Sequence, residues 1–145
     1  VLLVEGVSDR ILLRGLIDRF YRGKHDIKVI YTSGKGNIDV YAGLLQAFHI
    51  PYTILLDQDA VTGTWSELIG RELAGHHRAS LEEKISILRK KAIFILRGAL
   101  EENYPHAYQT KDTKPLNALY AAYHISAKDI ASPKMRVIRE LIESL

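Results

Sequence analysis

The chain has 145 residues, 47% hydrophobic and 26% charged, enough for one domain with its own core and unlike a disordered or fibrous composition. The formal net charge of +3 permits a nucleic-acid partner without requiring one. The absence of cysteine excludes disulfides and thiolate metal sites and points to a reducing cytoplasm, while no apolar run reaches the length of a membrane span.

"VLLVE" at residues 1–5 is an apolar run that ends in an acid, and it reads as a buried strand. Ser8 and Asp9 are placed to cap the helix that follows, whose apolar positions are Leu12, Leu13, Leu16, Ile17 and Phe20. "IKVIY" (27–31) is a second strand, and "SGKGN" (33–37) a glycine-bearing turn. Ile38, Tyr41, Leu44, Leu45 and Phe48 outline a second amphipathic helix. "YTILL" (52–56) is the third strand and runs directly into Asp57. A less regular stretch from Val61 to Ser80 carries a helix around Trp65–Leu73. "LEEKISILRKK" (81–91) is helical, and "AIFIL" (92–96) is a fourth strand. A helix is expected near Leu116–Tyr123, with Tyr120 and Tyr123 packing inward. A last helix starts with Ser132 as N-cap and Pro133 at its first position.

Apolar strands alternating with helices predict an α/β fold with a mostly parallel central sheet flanked by helices. Such sheets carry their sites beyond the carboxyl ends of the strands. Glu5, Asp57 and Asp59 fall at such ends, and Asp9 lies in the first turn of the first helix. Like charges gathered in this way repel unless a cation sits among them. Hard oxygen donors suit Mg²⁺ or Mn²⁺. Two such ions would clamp the attacking and leaving oxygens of a phosphodiester. No histidine adjoins these positions, which disfavours zinc. The alternative is that each acid is merely solvated or caps a helix.

"VEGVSD" (4–9) resembles the first toprim motif, and "LLDQDA" (55–60) the second, an Asp-x-Asp strand end. The middle segment, "GKGNIDVYAGLLQAFHIPYTILLDQD", is similar to the pattern of the OLD (overcoming lysogenization defect) nucleases. "FILRGALEENY" (94–104) and "SPKMRVIRELIESL" at the chain end resemble that family's later strand and its lysine-led final helix. The resemblance spans almost the whole chain, and the order of the motifs is more specific than any one of them. It implies a toprim, Rossmann-like fold over residues 1–145. It also implies a nuclease module cut from a longer polypeptide, with an ATPase domain upstream and oligomerisation through regions outside this chain. Glu5 is implied as general acid/base or metal ligand, Asp9, Asp57, Asp59 and Glu101 as metal ligands, and Lys134 as the charge that steadies the transition state. The implied reaction is metal-dependent cleavage of DNA. One position departs from the pattern: Val61 stands where a polar metal-shell residue is expected.

The remaining features have blander readings. Lys35 in "GKGN" could contact a nucleic-acid phosphate, although such a stretch often serves only as a turn. His76 and His77 are expected to be solvated. Trp65 lines the site or anchors a loop. Two rival functions stand beside the nuclease. One is a non-catalytic toprim module that binds nucleic acid or a partner. The other is a HAD-like phosphatase with Asp57 as nucleophile, for which the strand falls late in the chain and no second acidic pair follows.

Overall fold

Alternation along four short strands decides the architecture. The computed structural model describes residues 1–145, with the side chain of Lys35 left out. The strands are β1 (Leu2–Val4), β2 (Val29–Tyr31), β3 (Thr53–Leu56) and β4 (Ile93–Ile95), in the order β2-β1-β3-β4. All three pairings are parallel. Leu2, Val4, Leu55 and Phe94 point to one face, and Leu3, Ile54, Leu56, Ile93 and Ile95 to the other. Each face is covered, so both sets are buried.

The first face receives α1 (Val7–Phe20), α6 (Lys114–His124) and α8 (Arg136–Ser144), through Leu12, Leu13, Leu16, Ala118, Ala121, Ile138 and Leu141. The second receives α2 (Ile38–Ala47), α3 (Asp59–Thr62), α4 (Glu67–Glu72) and α5 (Leu81–Arg89), through Ile38, Ala42, Leu45, Val61, Ile69 and Leu88. Fully burying one such aliphatic side chain contributes about 1.5–3 kcal/mol. The small α7 (Ala127–Ile130) links α6 to α8. α1 and α6 approach so closely that a Cβ on Gly15 would meet that of Ala122. Among the described residues, no helix is long and apolar enough to cross a membrane.

The parallel α/β fold is as expected, and several local readings need correction. α2 buries Ile38, Ala42 and Leu45, while Val40, Leu44 and Phe48 are exposed on its outer side. Tyr41, Leu44 and Phe48 were expected in the core; the helix is apolar nearly all round, so spacing alone does not select its buried face. Tyr123 points out, 73% exposed, because the buried stripe of α6 is Ala118, Ala121 and Ala122. Tyr120 is half-buried, in ring contact with Tyr108 and His124. The final helix starts later than predicted, since Pro133–Met135 forms a 3-10 turn before Arg136. Ser132 precedes that turn without capping it, its hydroxyl donating to Asp129 O at 2.6 Å.

The strand order has one reversal. The chain leaves β1 for β2 on one side, then crosses to β3 on the other. The gap between the ends of β1 and β3 is therefore the switch point of the sheet, where open α/β folds place their ligands.

Candidate metal centre

Glu5 and Asp57 are the first residues beyond β1 and β3, so the parallel pairing of those strands sets them side by side at the switch point. The Asp57 N–H donates to Glu5 Oε1 at 3.2 Å, which fixes one carboxylate oxygen of Glu5. Asp59 opens α3 two residues later. One ligand oxygen from each of Glu5, Asp57 and Asp59 lies within 4.8 Å of the others. An octahedral Mg²⁺ with oxygens at 2.0–2.1 Å sets its ligands roughly 3–4 Å apart, so a small side-chain rotation suffices. The donor set is all carboxylate, which fits a hard divalent cation and not a soft one.

Asp9 adds a fourth acid. It sits in the first turn of α1, and its Oδ2 accepts the N–H of Gly6 at 2.9 Å. Asp9 thus caps the helix, as expected; Ser8 has no such role, because Gly6 is the residue flanking α1. Glu5, Asp9, Asp57 and Glu101 line one open cleft of about 510 Å³, with Ser33, Gly34 and Lys114 on its walls.

Glu101 arrives by a different route. It lies in a 3-10 turn, Leu100–Asn103, after β4. Asn103, 2% exposed, pins that turn: its amide nitrogen donates to Arg97 O at 2.9 Å and Ala99 O at 2.7 Å, and its oxygen accepts the Arg97 N–H. Gln58, between the two strand-end aspartates, ties this loop to β3. Its side-chain oxygen accepts the Gly98 N–H, and its own N–H donates to Gly98 O, both at 3.0 Å. Gly98 has φ +69, a left-handed conformation that costs glycine little. Gln109 closes the turn by donating to Glu101 O at 2.7 Å.

The crowding of acids shows in their ionisation. Asp57 is raised to about 7, chiefly by burial and then by the charges of Glu5, Asp9, Asp59 and Glu101. Asp9 is also raised, first by burial, with Glu101 adding to the rise and the Gly6 N–H and Lys114 opposing it. A carboxyl that resists ionisation near neutral pH marks a place where positive charge would be stabilised. Lys114 supplies some, its Nζ lying 3.4 Å from Glu101 Oε1.

The fold thus brings together Glu5, Asp57 and Asp59, and sets Asp9 and Glu101 in the same cleft. Lys134 is exposed on the Pro133–Met135 turn, which packs against the turn bearing Glu101; it is not one of the cleft-lining residues. Lys35 sits in a 3-10 turn, Lys35–Asn37, and its side chain lies outside the described residues. Gly34 before it, at φ +120, donates its N–H to Glu5 O at 2.9 Å. Val61, where a polar residue was expected, is 3% exposed in the second core and is not one of the residues lining the acidic cleft. Trp65 anchors its loop by donating to Val61 O at 2.8 Å; His76 and His77 are exposed, as expected, and the His77 ring also stacks on Trp65 at 4.5 Å. Lys114, Asn103 and Gln58 escaped the sequence reading. Lys114 had one faint signal, a lysine in a first helical turn, where the helix dipole disfavours it.

Residues 1–59 match the family model for the "Overcoming lysogenization defect protein-like, TOPRIM domain". Two structures of the C-terminal region of the Xanthomonas campestris pv. campestris OLD protein share the fold. One aligns with TM-score 0.68 and 18% identity over 99% of this chain and 91% of that one. The other gives 0.65 and 18% over 99% and 93%. No curated protein matches the chain.

Proposed function

From the premise that this chain carries a toprim domain like that of the OLD-family proteins, we propose that it is a metal-dependent nuclease module that hydrolyses DNA phosphodiester bonds. The observation that carries the reading is the convergence of Glu5, Asp57 and Asp59 within 4.8 Å at the switch point of the sheet. Those three would hold a divalent cation, Mg²⁺ or Mn²⁺, with Asp9 and Glu101 in reach of a second one across the cleft. When bound, such ions polarise a phosphate and lower the pKa of water.

The chain's own residues then position and balance charge. Glu5, with one oxygen held by the Asp57 N–H, is oriented to take or return a proton at the other. Ser33 and Gly34, at the start of the turn at 33–37, lie on the cleft wall, where the Ser33 hydroxyl is suited to a phosphate oxygen. Lys134, on the turn that packs against the one bearing Glu101, is the candidate for steadying charge on the scissile phosphate. The larger protein would supply an ATPase domain upstream and most of the DNA-binding surface, and it would work in the cytoplasm.

Plasmid cleavage with Mn²⁺ or Mg²⁺ tests the reading, with Glu5→Ala and Asp59→Ala as controls. Nicking or linearisation should need the metal, need both acids and be indifferent to ATP. Cleavage that survives both substitutions would assign the activity to a contaminant. Hydrolysis of small phosphomonoesters with intact DNA would favour a phosphatase built on Asp57, and DNA retention with no cleavage a binding module.

A further inference from the structure

We propose that Lys114 is a resident counter-ion of the acidic cleft: it pairs with Glu101 until a divalent cation displaces it, and the freed ammonium then serves the substrate phosphate. This rests on the metal-dependent reading above. The ammonium lies 3.4 Å from Glu101 Oε1, in the same cleft as Glu5, Asp9 and Asp57. The two partners differ in freedom. The lysine side chain is 73% exposed and that of Glu101 25%, while Asn103 and Gln109 fasten the Glu101 backbone. The lysine is therefore the partner that leaves.

Its point of attachment is fixed. Thr113 caps α6, its Oγ1 accepting the Leu116 N–H at 3.3 Å, and Gly15 and Ala122 hold α6 hard against α1. Only the flexible four-carbon stem moves. A lysine at this helix start opposes the macrodipole, so its position makes sense through the acids it faces. Asp9 feels it too, since Lys114 works against the upward displacement of that carboxyl.

The competition is unequal. A divalent cation carries twice the charge and approaches carboxylate oxygens to about 2.0–2.1 Å. An exposed ammonium–carboxylate pair is weak. Displacement leaves the ammonium tethered at the mouth of a cleft that now carries less negative charge. A phosphodiester anion entering there meets three N–H donors on a mobile point charge. Before metal arrives, the same charge lessens the repulsion among the acids.

Two measurements on the purified chain test this without relying on cleavage. The first is calorimetric titration of Mg²⁺ into wild type, Lys114→Met and Lys114→Arg. Lys114→Met should bind Mg²⁺ up to about fivefold more tightly, the worth of an exposed ion pair, and Lys114→Arg should return to the wild-type value. The second is acylation of Lys114 by an amine-reactive label, followed by mass spectrometry. Its rate should rise when saturating Mg²⁺ releases the ammonium. Equal or weaker Mg²⁺ binding by Lys114→Met, or a labelling rate that ignores Mg²⁺, would overturn the proposal while leaving the metal site standing. A wild-type chain that binds no Mg²⁺ would sink the metal-dependent reading itself.

Discussion

The two walls of the cleft are built by different means. On one wall, Glu5 and Asp57 stand at the ends of adjacent parallel strands, and the sheet sets their spacing. On the other, Glu101 and Lys114 stand on a 3-10 turn and a helix start, and amide side chains set the spacing. Strand ends place side chains through a ladder that many residues share. The irregular wall depends on a few hydrogen bonds, chiefly those of Asn103 and Gln58. The first wall is hard to deform and the second easy, so removing charge and removing support should act differently on the two.

The largest effect is expected on the strand-built wall. Asp57→Ala should abolish measurable Mg²⁺ binding by calorimetry while the domain stays folded, because it removes the central carboxylate of the cluster. Equal binding by the mutant would mean that the strand-end acids hold no cation. Next in size, on the irregular side, Lys134→Ala should keep metal affinity and fold yet lose about a hundredfold in cleavage rate, comparable to losing one preorganised donor. An unchanged rate would make Lys134 a surface lysine on a turn.

Support is tested by Asn103→Ala. The change strips the 97–103 loop of three hydrogen bonds at a buried position, and should cost about 2–3 kcal/mol in chemical denaturation, since the Arg97 N–H and C=O lose their partner. A loss as small as that of a surface change would show that the loop holds itself.

The last effect is one of pH. Without metal, folding raises Asp57 from 3.8 to about 7. The folded state therefore holds that proton more tightly than the unfolded chain does. The resulting stabilisation is complete below the unfolded value and fades as pH rises through about 7. Melting temperature in chelator should thus fall on going from acid to neutral pH, and Asp57→Asn should flatten that slope. Saturating Mg²⁺ should flatten it as well, by favouring the ionised carboxylate.

The difference between the walls also decided what could be read from the sequence. Apolar runs that stop at Glu5 and Asp57 announce buried strands and what stands at their ends. Parallel pairing then brings the two acids together with no knowledge of the loops. Asp9 follows from its place in the first turn of α1. The Glu101 wall left less trace, because a 3-10 turn has no period and Asn103 resembles any loop asparagine until its three partners are known. Lys114 is one of 20 basic residues, and only the α1–α6 packing brings it to the acids. The outer side of α2 was misread for a related reason. With Tyr41, Leu44 and Phe48 interleaved among Ile38, Ala42 and Leu45, apolar spacing points in every direction.

The α1–α6 crossing at Gly15 and Ala122 also acts as a fulcrum. Asp9 rides near the start of α1 and Lys114 at the start of α6. From Ala122 back to Lys114 the helix rises about 12 Å. A tilt of about five degrees at the crossing would therefore swing the start of α6 by about 1 Å, while Glu5 and Asp57 stay with the sheet. The gap between ammonium and carboxylates is thus geared to the thickness of two small residues on the far side of the helix pair, and a single methyl group at position 15 would act as a shim that resets it.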